Sequence, residues 1–230
     1  MPDSIKQRIA EGEHQRLEFK FEISDFRKIA RTLVSFSNTD GGSLLIGVKD
    51  NGVIAGVRSD EEYFMVEGAA RIYCRPEVPF AVREWQSEGK RVLEVLIQEG
   101  KRKPFLAQEP DGHWTAYIRQ GDENFKANRV MLKVWEKQNE GSSVTIRFRK
   151  PEQLLLEYLE SDRFITISKF RRMAGLTAQG AETILVSFLM LQIIRMEYTG
   201  TSAQFSLAEG YRKIVERLLE RPDSGHFRGH

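Results

Sequence analysis

The segment from Phe36 to Gly52 constrains the fold of this chain more than any other stretch. Apolar residues before it follow one face of a helix, and the pair Gly41-Gly42 supplies the backbone freedom that ends such a helix. Ser43 to Val48 is a short apolar run, which is typical of a buried strand. Asp50-Asn51-Gly52 predicts a tight turn, after which residues 53–57 return as the partner strand. The segment therefore indicates an α+β core.

Apolar and charged residues alternate over residues 16–22, just before this segment. Leu17 and Phe19 fall on one side of the predicted strand, whereas Glu18 and Lys20 fall on the other. We therefore expect a half-buried strand with a charged, solvated face. The same patterns predict helices over residues 59–75 and 125–138 and strands over residues 78–85, 91–98 and 113–119.

The composition is that of an ordinary globular protein. The 230 residues carry a formal net charge of only +2, so a nucleic-acid partner has to be recognised by local clusters of cations. One cysteine, Cys74, excludes an internal disulfide and suits a reducing compartment. The polar N-terminus and the absence of a long apolar run predict a cytoplasmic protein without a membrane partner.

Residues 139–143 have the composition of a linker. We therefore predict a first domain over residues 1–140, a second over residues 144–210, and a C-terminal helix and tail over residues 211–230. The second domain shows the order helix, short strand, helix, turn, helix, hairpin. That order is typical of a small winged helix-turn-helix domain.

Three carboxylates, Glu13, Glu18 and Asp50, are candidates for a shared site. If the segment carrying Glu13 folds back over the charged strand face, the three could hold a hard divalent cation through oxygen ligands. Lys20 or Lys49 would then reach a phosphate. Composition alone favours another interpretation, in which these residues belong to a solvated strand face, a loop and a turn.

Several basic side chains fall where they could contact phosphates. Residues 101–103, Lys-Arg-Lys, lie in a predicted loop, although an exposed loop is often basic without any partner. The candidates for nucleic-acid contacts are Lys20, Lys49, Lys101, Arg102, Lys103, Arg119, Lys169, Arg171 and Arg172.

The predicted recognition helix, Thr177 to Leu191, is unusual because it contains no lysine or arginine and carries Glu182. Gln179 and Thr183 could read bases while the preceding helix holds the backbone. The helix is also strongly apolar, so protein interaction or dimer formation is an alternative role for this domain.

Three motifs of the first domain resemble the Schlafen-type AlbA_2 domain. They are Glu13-x4-Glu18-Phe19-Lys20, the segment Val34 to Gly56 with its VSFSNTDGGSLLIGVKDNG run, and Tyr117-Ile-Arg-Gln-Gly121. The resemblance covers roughly residues 8 to 138. It implies a mixed sheet with flanking helices, associated with nucleic acids and frequently followed by a winged helix in bacterial proteins.

The resemblance also bears on the carboxylates. In the nuclease members of the Schlafen family, two glutamates and an aspartate form a metal-dependent RNA-cleaving site, and the matching positions here are Glu13, Glu18 and Asp50, with Lys20 beside them. An active site of this kind would use Mg²⁺ or Mn²⁺. An ATPase is rejected, because the chain has no G-x4-GK[ST] loop.

Three functions follow as alternatives. The first is a non-enzymatic nucleic-acid-binding protein, a DNA-binding transcriptional regulator. The second is a metal-dependent endoribonuclease acting on structured RNA such as tRNA, and the third is a protein-interaction scaffold. Because the Schlafen cores that this chain resembles hold two such lobes and this chain holds one, we also expect a homodimer, with the helix Thr177 to Leu191 adding contact area.

Overall fold

The computed structural model describes residues 5–220, which form two compact units that divide between Ala127 and Asn128. The helices of the first unit are α1 (Ile5–Ala10), α2 (Phe26–Asn38) and α3 (Glu61–Ile72). Its strands are β1 (Leu17–Lys20), β2 (Gly42–Ile46), β3 (Cys74–Arg75), β4 (Phe80–Ser87), β5 (Lys90–Ile97), β6 (Leu106–Gln108), β7 (Trp114–Gln120) and β8 (Glu123–Lys126).

One sheet of the first unit has the strand order β1-β2-β5-β4. β1 and β2 are parallel, which requires a crossover connection, and α2 supplies it. β2, β5 and β4 are antiparallel neighbours. Successive side chains of a strand point to opposite faces, so Leu44 and Ile46 pack in the core with α2. Leu45, between them, packs on the other face with Leu17 and Phe19.

The second sheet has the antiparallel order β3-β6-β7-β8. α2 contacts strands of both sheets as well as α3, and from Ile29 to Asn38 every residue except Arg31 is buried. Asp25 starts this helix, because its carboxylate accepts the backbone N–H groups of Arg27 and Lys28. The predicted α+β class is confirmed, with α2 at the centre of the first unit.

The predicted return strand over residues 53–57 is wrong. The Asp50 to Gly52 turn is present, but only a single bridge, Val48 with Ile54, follows it. Both edges of β2 are already occupied, one by β1 and the other by β5, so no edge is left for a further strand.

The second unit consists of five helices and a hairpin over its described residues. The helices are α4 (Arg129–Asn139), α5 (Lys150–Ser161), α6 (Ile167–Met173), α7 (Ala178–Met190) and α8 (Tyr211–Leu219), and the hairpin strands are β9 (Ile194–Thr199) and β10 (Ser202–Leu207). Ile165 bridges to Phe205 of β10, which adds a short extended segment to the hairpin. The predicted tail, beyond residue 220, lies outside the described residues.

The division between the units differs from the predicted boundary at residues 139–143. α4 belongs to the second unit, because Val130 and Val134 are buried in the core that α5, α6 and α7 form. Lys133 of α4 also pairs with Glu182 of α7 at 2.5 Å. The Gly- and Ser-containing stretch is therefore a loop inside the second unit.

Within residues 5–220, no single helix has the length and apolarity needed to cross a membrane, although the bent pair α6 and α7 meets that test jointly by length and composition.

Candidate nucleic-acid interface

Glu18 is buried, with 7% of its side chain exposed. Its Oε2 lies 2.5 Å from Nη1 of Arg119, and its Oε1 lies 2.7 Å from Nζ of Lys20 and accepts a hydrogen bond from Thr32. Both carboxylate oxygens are therefore engaged by groups of the protein. The predicted solvated face of β1 is covered at this position by the side chain of Arg119 from β7.

Glu13 has a local structural role. Its Oε1 accepts the backbone N–H of Phe19 at 2.8 Å, which ties the segment before β1 to the strand itself. This contact accounts for the five-residue spacing between Glu13 and Glu18, because the first carboxylate binds the backbone beside the second. Asp50 is exposed in the turn after β2.

These three carboxylates do not fit a metal site. Among the described residues, no group of three His, Cys, Asp or Glu side chains is placed to hold a metal ion. Glu18 is neutralised by Arg119 and Lys20, and Glu13 holds a backbone amide, so the predicted ligand set of Glu13, Glu18 and Asp50 is not assembled. No catalytic step through a metal is derived from this arrangement.

Arg119 is the centre of a buried polar cluster. Its side chain is 0% exposed, and its guanidinium lies 5.0 Å from the centre of the Phe36 ring. Besides Glu18, it donates to the backbone carbonyls of His14 and Leu17. The predicted contact of Arg119 with nucleic acid is therefore wrong, since the group is buried and its hydrogen bonds are internal. Its role is to hold β7 against β1.

The basic loop after β5, which carries Lys101, Arg102 and Lys103, is held by hydrogen bonds to α2. The backbone N–H of Gly100 donates to the carbonyl of Ser37, and the amide side chain of Asn38 bonds both the N–H and the carbonyl of Phe105. The loop is thereby fixed to the C-terminal end of α2. A fixed loop loses less conformational entropy on binding a ligand than a free one would.

The three cations of this loop are not equivalent. Lys101 and Arg102 are exposed. Lys103 is partly buried, pairs with Glu99 at 2.7 Å and donates to the carbonyl of Thr39. Lys101 and Arg102 are thus the members of the predicted cluster that are presented to solvent.

Arg16 is a further exposed cation at this end of the first unit, and the sequence interpretation did not select it. Its Nη2 donates to the carbonyl of Asp40, next to Gly41, which itself packs against the backbone of Ile97 and Glu99. The alternation over residues 16–22 indicated its exposure, but only the tertiary structure shows that it lies near the segment that leads into the basic loop.

Lys20 and Lys49 occupy different environments at the opposite end of β1. Lys20 is held on Glu18 and on the carbonyl of Phe19. Lys49 is exposed, and its Nζ lies 5.5 Å from the centre of the Phe21 ring, which is also exposed. Lys49 is therefore free of the buried cluster that engages Lys20.

The second unit presents its predicted basic residues on α6. Lys169, Arg171 and Arg172 are all exposed, and Lys169 donates to the hydroxyl of Tyr158 with its Nζ 4.4 Å from that ring centre. These cations lie one helix before α7, as the sequence order required.

α7 differs from the prediction in two respects. Glu182 is buried and pairs with Lys133 and Arg129 of α4, so it does not oppose an approaching polyanion. Its largest apolar side chains, among them Leu185 and Phe188, are buried in the core of their own unit. Much of the apolar surface that was expected to add contact area in a dimer is therefore already used in this core, whereas Gln179 and Thr183 are exposed.

The fold and its buried polar cluster define the first unit as an α+β domain in which a central helix contacts two sheets. Residues 13–128 match the family model described as Schlafen, AlbA_2. The match spans half of the chain, and the chain belongs to the Schlafen AlbA_2 family.

Two solved structures are similar to this chain. The DIP2311 protein from Corynebacterium diphtheriae is 18% identical with a TM-score of 0.42, and the similarity covers 72% of this chain but only 31% of that one. The N-terminal domain of a putative ATP-dependent DNA helicase RecG-related protein from Nitrosomonas europaea is 17% identical with a TM-score of 0.38, covering 50% of this chain and 85% of that one. No curated protein matches the chain significantly.

Proposed function

We propose that this chain is a nucleic-acid-binding protein and, more specifically, a DNA-binding transcriptional regulator. The observation that carries the proposal is the exposed pair Lys101 and Arg102 on a loop that is anchored to the end of α2, with Arg16 at the same end of the unit. The net charge of the whole chain is only +2, so such local groups are what a polyanion would meet. Membership of a family associated with nucleic acids supports the same function.

The second unit supports the finer part of the proposal. Its helices and hairpin follow the order of a winged helix-turn-helix, α6 presents Arg171 and Arg172, and the one carboxylate of α7 is buried. In this proposal α6 contacts the phosphate backbone, and the exposed Gln179 and Thr183 face the bases. The endoribonuclease alternative receives no support from the carboxylates, which are engaged elsewhere.

We further propose that the protein is a homodimer whose two first units supply the two walls of a nucleic-acid groove. The proposal rests on the single AlbA_2 region of this chain, set against the two lobes of the Schlafen cores that it resembles.

The first prediction concerns the basic loop. Replacing Lys101 and Arg102 together by alanine should weaken binding of labelled duplex DNA at least about tenfold at low salt and reduce the log–log salt slope by about two, one for each phosphate contact. Fluorescence anisotropy at a series of salt concentrations measures both quantities. Thermal stability should not change, because both side chains are exposed.

The matched control replaces Lys213 and Arg217 of α8 together by alanine. These are also an exposed lysine and an exposed arginine, and their loss should leave the log–log salt slope of DNA binding unchanged. If both double variants lost the same DNA affinity, the loss would reflect the overall charge of the protein and not a contact made by the basic loop. Parallel binding to RNA and duplex DNA, with Mn²⁺ or EDTA, separates the functions. Duplex preference supports a regulator, Mn²⁺-dependent RNA fragments would support the nuclease, and retention of neither polymer would favour the scaffold.

A further inference from the structure

Two arginines on one face of α2 lie over tyrosine rings. Arg27 and Arg31 are one helical turn apart, so their side chains are neighbours on the helix surface. The guanidinium of Arg27 lies 5.0 Å from the centre of the Tyr73 ring, and that of Arg31 lies 5.7 Å from the centre of the Tyr117 ring. The rings belong to separate elements, Tyr73 following α3 and Tyr117 lying on β7. α2 therefore presents a pair of planar cations, each supported by an aromatic face.

The support under Arg27 is itself packed. Tyr73 stacks on Phe26 with ring centres 5.4 Å apart and an angle of 19° between the planes. Gly68 of α3 makes room for Phe26, because a Cβ at that position would lie 2.7 Å from the ring. A guanidinium against a fixed ring has fewer orientations to lose when it binds a ligand.

Arg27 also lacks an internal counter-charge. Among residues 5–220, no carboxylate pairs with it. Its Nε, like those of Arg31 and Arg119, is buried without a hydrogen-bond acceptor. Asp25, two residues before it, uses its Oδ1 on the backbone N–H groups at the start of α2. The guanidinium is held in place by packing on Tyr73 and has no ion-pair partner among the described residues. Its charge is therefore available to an anionic ligand.

Arg31 is only partly neutralised. Its Nη2 lies 2.5 Å from Glu109, which also accepts from the hydroxyl of Tyr117 and pairs with Lys126. Burial opposes the ionisation of Glu109, but these hydrogen bonds outweigh it and lower the pKa to about 2, so the carboxylate is charged at neutral pH. Glu109 therefore shares its single negative charge between Arg31 and Lys126.

We propose that Arg27, with Arg31 beside it, binds a backbone phosphate of the nucleic acid. A phosphodiester fits because a guanidinium fork donates two parallel hydrogen bonds to phosphate oxygens and can stack on an aromatic face at the same time. The site rests on the proposed nucleic-acid-binding function and adds to it a contact on α2, a separate element from the basic loop after β5. Arg27 is the residue that binds, and Tyr73 is the residue that orients it.

The test is the salt dependence of binding in single-residue variants of the full chain. Arg27→Gln should weaken binding of a labelled oligonucleotide about threefold to tenfold and lower the log–log salt slope by about one. Arg27→Lys keeps the charge but loses the fork, so it should retain the slope and still bind more weakly. Arg58→Gln is the control for the loss of one arginine charge, since Arg58 is an exposed arginine of the first unit, and it should behave as the wild type.

The outcomes separate the site from the function. If the wild type binds nucleic acid and Arg27→Gln binds it with the same affinity and salt slope as Arg58→Gln, the site is overturned and the proposed function remains. Equal affinities of Arg27→Lys and the wild type would show that only charge matters there and would overturn the oriented fork. A wild-type protein that retains neither DNA nor RNA would overturn the function and the site together.

Discussion

At the scale of single residues, the buried carboxylate of Glu18 is balanced by Arg119 and Lys20. A buried charge is tolerated only with partners of this kind, and removing one partner usually costs more than the pair contributes. If Glu18 were a metal ligand, Glu18→Gln would change the chemistry of the site without affecting the fold. In the structure the same substitution leaves a buried guanidinium without its counter-charge, so we expect it to lower stability.

We therefore predict that Arg119→Met lowers the free energy of unfolding by about 3 kcal/mol, because Glu18 stays buried with Lys20 as its one remaining cation. Urea unfolding followed by circular dichroism measures the loss. Arg71→Met is the control, since Arg71 pairs with Glu67 at an exposed site, and its effect should stay within about 0.5 kcal/mol.

The double variant Glu18→Gln/Arg119→Met refines this test. The two changes should cost less together than the sum of the single losses, by about 1 kcal/mol or more, because the double variant buries neither charge. Additive losses would mean that the two side chains act independently, and the structural role of the pair would be lost.

At the scale of elements, the corner between α2 and β2 depends on Gly41. Its φ is +67°, and a Cβ there would lie 2.7 Å from the carbonyl oxygen of Ile97 and 3.0 Å from the backbone nitrogen of Glu99. Neither backbone atom can move without displacing the end of β5. The corner thus brings the end of α2 directly against the segment that carries the basic loop.

Gly41→Ala should lower the free energy of unfolding by about 3 kcal/mol, combining the strain of a positive φ with a backbone clash. Gly89→Ala separates the two effects, because Gly89 has a similar φ of +71° and nothing within 4 Å of its Cβ position. That variant should lose only about 1 kcal/mol. Thermal or urea unfolding checks both, and similar losses would contradict the close approach.

At the scale of the whole molecule, each unit has a hydrophobic core of its own, and the chain divides at Ala127. The proposed dimer therefore predicts a different behaviour for each unit when it is isolated. Residues 1–127 should carry the self-association, since the two walls of the proposed groove are both first units. The apolar helix α7, which was expected to assist, buries Leu185, Val186 and Phe188 in the core of the second unit.

Light scattering at tens of micromolar tests this prediction. The full chain and the fragment 1–127 should both have the mass of a dimer, and the fragment 128–220 should have the mass of a monomer. A monomeric full chain would remove the dimer proposal. A dimeric 128–220 fragment would place the association in the wrong unit.

Local signals were sufficient for part of the fold. The glycine corner, the helix before it and the strand after it are specified by neighbouring residues, and their prediction is confirmed. The family and the α+β class followed from the same stretch. The partner of Glu18 could not be predicted, because Arg119 is 101 residues away and no local pattern connects them.

The remaining differences have similar causes. The composition of residues 139–143 suggested a linker, but Val130 and Val134 pack in the core of the second unit, so α4 belongs to that unit. The apolar face of α7 suggested an interface, but the same pattern serves a core. Arg27 and Arg31 gave no signal in the sequence, because their tyrosine partners lie on other elements.

The distance along the chain between Glu18 and Arg119 has a consequence for synthesis. A ribosome adds about 5–20 residues per second, so roughly 5–20 s separate the appearance of the carboxylate from that of its guanidinium, 101 residues later. Until then the Glu18–Arg119 pair cannot join β1 to β7. A nascent chain that ends before Arg119 leaves the Glu18 carboxylate without its main counter-ion. The first unit should consequently acquire protease resistance late, only after nearly all of its own residues have left the exit tunnel.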